Sequence, residues 1–214
     1  MPRLQVHYLP VEDRFLHVAY EVRYLARAGA GWRRFGKGGV EADRRRLARV
    51  LSEGSTLVQD SLLLHARNLI EFLILPATPG PKGSPSTDIV LADFGLGPVS
   101  KTRCEELLRY KQPLDVHLMH PTVWRDSSFR RAYKRADEGR ARQRVDWNEH
   151  NERIVTRVLR VLEIVSRSRK PWGKPFRHLH ASALGIFQSE TRTWPPELAS
   201  RDDVIEYLKR LGLP

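Results

Sequence analysis

Cysteine is almost missing from this chain: Cys104 is the only one in 214 residues. An internal disulfide framework and a zinc site of two or more thiolates are therefore excluded. A reduced, cytoplasmic setting is expected. Long apolar runs are missing too. The longest, over residues 62–75, is broken by His65, Arg67, Asn68 and Glu71, and is too short and too polar to span a membrane. The opening residues, Met1 to Gln5, contain no apolar core of a signal segment. Strand signals are scarce. Only Leu4, Val6 and Tyr8 alternate with polar neighbours, and no strand–helix–strand rhythm follows. Walker, dinucleotide-binding, nucleophile-elbow and HExxH signatures are all absent. His117-x-x-His120 and His178-x-His180 have usable imidazole spacing but no carboxylate at a diagnostic position. No metal site and no cofactor are assigned.

Acidic charge is in short supply as well. Lys and Arg total 37 against 25 Asp and Glu, giving a formal net charge of +12. Most of the excess is Arg, which keeps its charge and grips phosphate with a planar fork. It falls in three clusters. Residues 31–50 include Arg44 and Arg45, residues 125–144 include Arg130, Arg131, Lys134 and Arg135, and residues 153–174 carry seven basic side chains against Glu163 alone. Each is a candidate phosphate-facing strip. The competing reading is a solvated surface whose charge reflects Arg-rich codon usage.

What the chain does carry is helical periodicity. Phe15, Val18, Ala19, Val22, Leu25 and Ala26 trace one stripe, which predicts a helix from Asp13 to about Ala28. Five glycines from Gly29 to Gly39 then predict a flexible basic loop. A second helix is expected over 41–51. A third is expected over 57–75, capped by Ser55 or Thr56. The Pro- and Gly-rich stretch over 76–87 reads as a mobile insertion. Thr102 and Glu105 suggest a capping box for a helix to about Lys111, with Pro113 kinking it or starting a new turn. A basic helix is expected over 129–139. A longer one is expected over 140–169, with Ile154, Val158, Val161, Leu162 and Val165 as its stripe. Ser200 and Asp203 cap a last helix that Gly212 ends. The expected fold is all-α: a bundle of five or six helices over 1–169, followed by an irregular C-terminal tail over 170–214.

Two segments carry candidate chemistry. In the first, His65-Ala66-Arg67-Asn68-Leu69-Ile70-Glu71-Phe72, a helix places His65 beside Asn68 and Arg67 beside Glu71. Such a group either knits helices together or contributes to a site. In the second, Arg109 and Lys111 precede His117. Imidazole takes and gives a proton near neutrality, and a neighbouring cation stabilises charge on phosphate. That pairing suits metal-free cleavage of RNA, in which the 2′-hydroxyl attacks its own phosphodiester.

These two segments resemble the paired motifs of helical bacterial proteins in the HEPN superfamily, small bundles found in toxin–antitoxin and phage-defence systems. The resemblance covers residues 10–165. It implies an RNA-directed protein acting as a metal-independent endoribonuclease, with His117 as acid/base and the basic residue before it as phosphate clamp. Lys111 stands five intervening residues before His117, and Arg109 lies two residues further back. The resemblance also implies a homodimer with the site formed across it, and an antitoxin or defence partner protein. The alternative is a noncatalytic basic helical protein that binds nucleic acid or a protein partner.

Overall fold

The computed structural model describes residues 9–35, 41–74, 89–119, 147–188 and 193–213. Side chains are described for 9–33, 58–74, 89–111, 113–114, 150–188 and 193–213. These residues form six α-helices and two short 3-10 turns, with no strand among them. The helices are α1 (Val11–Phe35), α2 (Glu41–Ile74), α3 (Lys101–Met119), α4 (Trp147–Ser166), α5 (Gly173–Phe187) and α6 (Arg201–Arg210). The 3-10 turns are Leu91–Phe94 and Pro196–Leu198. The expected all-α bundle is what is found.

The α1 stripe is buried as expected, from Phe15 to Ala26. The helix does not end there. It continues through Gly29 and Gly31 to Phe35, where a glycine loop was expected. An interior glycine costs about 1 kcal/mol of helix propensity, and here it permits close packing. A Cβ on Gly29 would lie 3.0 Å from both the Phe187 ring and Val155. The 41–51 and 57–75 helices are likewise one element of 34 residues, α2. Ser55 and Thr56 lie inside it rather than capping it. No proline falls between 41 and 74, and glycine or serine alone is too weak a stop when both flanks are helical.

Helix α3 begins before Thr102. The Ser100 carbonyl accepts from the Arg103 and Cys104 amides, and Pro113 is carried inside the helix. The Cys104 thiol is buried at the base of this helix, and burial pushes its pKa up. The α4 stripe is buried along its length, from Ile154 to Val165.

The largest departure lies past residue 170, where an irregular tail was expected. Residues 173–187 form α5, which packs on α1 and α4. Phe176 is fully buried and completes an aromatic cluster with Phe15, Phe72, Phe94 and Trp172. Ring centroids there are 5.4 Å apart for Phe94–Phe176 and 4.9 Å for Phe94–Trp172. Trp and Pro give no clean helical period, so the local pattern hid this helix. Gly173 is required at its start, because a Cβ there would lie 2.0 Å from the Ser168 carbonyl oxygen. The last helix is as read. The Ser200 hydroxyl accepts from the Asp203 amide, and Gly212 takes φ +68° just past the end. The expected helix over 129–139, the insertion over 76–87 and the strand signal at 4–8 lie outside the described residues.

Candidate functional site

Helix α2 presents its polar side to α1 and α3. Residues 65 and 68 are three apart and share a face, and both reach one carboxylate on α1. His65 Nδ1 lies 2.7 Å from Glu21 Oε2, and Asn68 Nδ2 donates to Glu21 Oε1 at 3.2 Å. The His65 ring packs on Tyr24 at a centroid distance of 5.3 Å and on Tyr20 at 5.9 Å. At 7% exposure, His65 makes the contacts of an interhelix tie.

One turn further along α2, Glu71 collects two cations. Arg67 Nη2 and Lys111 Nζ each lie 3.3 Å from Glu71 Oε1, and the second contact fastens α3 to α2. His65, Arg67, Asn68 and Lys111 are thus drawn together along adjoining seams, by Glu21 and Glu71. Arg109 is not among them. It stands on the exposed side of α3, paired at 2.8 Å with Glu105. His117 lies in α3, and its side chain is outside the described residues. The same holds for Arg44 and Arg45 in α2. His120, Arg130, Arg131, Lys134 and Arg135 lie wholly outside them.

The third basic cluster is described. Arg153, Arg157 and Arg160 sit at helical offsets 0, 4 and 7, which place them on one side of α4, opposite its apolar stripe, and Arg167 follows directly after the helix's last residue. At 1.5 Å of rise per residue the three in the helix span about 10 Å. Arg153, Arg160 and Arg167 are exposed, as are Arg169, Lys170 and Lys174 beyond the helix, and Lys170 Nζ donates to the Gly95 carbonyl. Arg157 pairs with Glu106 at 2.6 Å and Arg167 with Glu163 at 2.5 Å. Arg153 and Arg160 have no ion-pair partner among the described residues.

At the first turn of α4, the Tyr110 hydroxyl lies 2.8 Å from His150 Nδ1, with ring centroids 5.4 Å apart. Burial, foremost, pushes the Tyr110 pKa up, opposed by Arg153 and Arg157 and reinforced by Glu106. His178 and His180 do not act as a pair. His178 Nε2 lies 3.4 Å from Glu197, while burial lowers the His180 pKa. Among the described residues, no group of three His, Cys, Asp or Glu side chains is arranged to hold a metal ion.

Glu21, Tyr110 and His150 escaped the sequence reading. Glu21 was hidden among the charged residues flanking an apolar stripe, 44 residues from His65. The Tyr110–His150 contact joins positions 40 apart, beyond any local spacing rule. Comparison with models of protein families, with curated proteins and with solved structures finds no match.

Proposed function

We propose that this chain is an RNA-directed helical protein, similar in kind to the HEPN-like proteins its two motifs resemble, and that it holds the RNA backbone along the arginine strip of α4. The observation that supports this reading is the strip itself. Three arginines lie on one side of α4 and a fourth follows just past its end, two of the four without an ion-pair partner among the described residues, and three more exposed cations come after them in the chain. Backbone binding of this kind releases counterions, so affinity falls steeply with salt. Replacing Arg160 and Arg167 together with Ala removes about two phosphate contacts. On single-stranded RNA it lowers the slope of log affinity against log salt by about 1.4. An unchanged slope contradicts the reading.

A second reading, the metal-independent endoribonuclease, is favoured by one observation. Lys111 stands beside Arg67 on Glu71, six residues before His117 in the same helix. The homodimer and the antitoxin or defence partner belong to that reading. It expects single-stranded RNA to be cut in the presence of a chelator, leaving 2′,3′-cyclic phosphate ends. His117→Ala abolishes the cutting while helical circular dichroism is retained. Equal cutting by the variant rules His117 out as the acid/base.

A further inference from the structure

We propose that Tyr110, His150 and Arg153 form a site for a phosphomonoester group at the head of the α4 strip, and that the group it takes is the terminal phosphate of a bound RNA. The inference rests on the RNA-binding reading for its ligand, and on separate residues for its site.

The argument starts at the His150 ring. Its Nδ1 is engaged by the Tyr110 hydroxyl at 2.8 Å, and the edge-on packing of the two rings fixes the imidazole plane. The phenol hydroxyl can donate to Nδ1 or accept from it. When Tyr110 donates to Nδ1, the ring hydrogen of neutral imidazole sits on Nε2. When the ring is imidazolium, Nε2 carries a hydrogen as well. In these two states Nε2–H is a donor directed away from Tyr110 across the ring; in the remaining one, with Nδ1–H donating to the Tyr110 oxygen, Nε2 is an acceptor, and an anion selects the first two. His150 is partly exposed.

A fixed cation stands next to this donor. Arg153 lies three residues after His150 on α4, on the neighbouring turn, and its charge is felt at the Tyr110 hydroxyl. It is exposed and has no ion-pair partner among the described residues. Glu106, a carboxylate near Tyr110, is held by Arg157 at 2.6 Å, which limits its repulsion of an anion. An N–H donor beside a guanidinium suits phosphate, which accepts both a single N–H and the guanidinium fork. A monoester fits better than a diester. It has three terminal oxygens and a second negative charge, enough for both donors with one oxygen left in solvent.

The test compares one single-stranded RNA with a 5′-phosphate and with a 5′-hydroxyl, by fluorescence anisotropy on the full chain, with inorganic phosphate as a third probe. Wild type prefers the phosphorylated RNA by about tenfold, the effect of a hydrogen bond to a charged group. His150→Gln and Arg153→Gln bring the ratio close to one. Tyr110→Phe keeps the ring packing, frees the imidazole and lowers the ratio part of the way. The Arg160→Ala, Arg167→Ala double variant weakens both RNAs equally and leaves the ratio intact. Equal binding of the two RNAs by wild type overturns the proposal, as does a preference that survives both Gln substitutions. If neither RNA binds, the RNA-binding reading fails. The site is then judged with inorganic phosphate, which must shift the His150 imidazole NMR signals in wild type and not in Arg153→Gln. An unmoved His150 signal overturns the site itself.

Discussion

Glu21 does for α1 and α2 what no apolar contact can do: it gives two polar side chains of α2 a single acceptor at the edge of the core. His65 and Asn68 each contribute one hydrogen bond to it, at 2.7 and 3.2 Å. Replacing Glu21 with Leu strands both donors in a largely dry seam, a loss of about 1–3 kcal/mol for unsatisfied groups. In thermal melts the Glu21→Leu variant unfolds several degrees below wild type, whereas Glu21→Gln, which keeps an acceptor, recovers part of the difference. Equal melting of Glu21→Leu and wild type would show that the tie carries no stability. His65 and Asn68 were legible as a polar pair on one helical face because three-residue spacing is local. Their partner was not, because a hydrogen bond between helices leaves no trace in the spacing along either one.

Elements built on regular apolar periods were the easiest to read. The stripes of α1 and α4 are buried residue for residue, since a 3.6-residue period has one packed solution on a bundle. Breaks were read less well. Gly29, Gly31, Ser55 and Thr56 sit within helices, because tertiary packing outweighs a propensity penalty of about 1 kcal/mol. Helix α5 was missed outright, and its role is measurable. Phe176 is fully buried among four other aromatic rings, so Phe176→Ala costs about 3–5 kcal/mol. The expected result is a large drop in the denaturant midpoint with a single cooperative transition. A change below 1 kcal/mol would mean that the segment after 170 is not part of the common core.

For the molecule as a whole, part of the net charge of +12 acquires a location among the described residues. The cations near the α2–α3 seam are committed to Glu71, and Arg109 is committed to Glu105. The side of α4 opposite the core keeps cations in excess over carboxylates. Composition alone counted the charge and clustered it, but could not separate cations held by neighbours from those left facing solvent. That depends on which carboxylates the fold brings near, and it is why the α4 strip carries the central claim. The most direct measurement is the affinity for single-stranded RNA across a salt series, for wild type and for the Arg160→Ala, Arg167→Ala variant. The account predicts a steep wild-type dependence and a variant slope smaller by about 1.4. A flat wild-type response, or a variant slope equal to that of wild type, would contradict it.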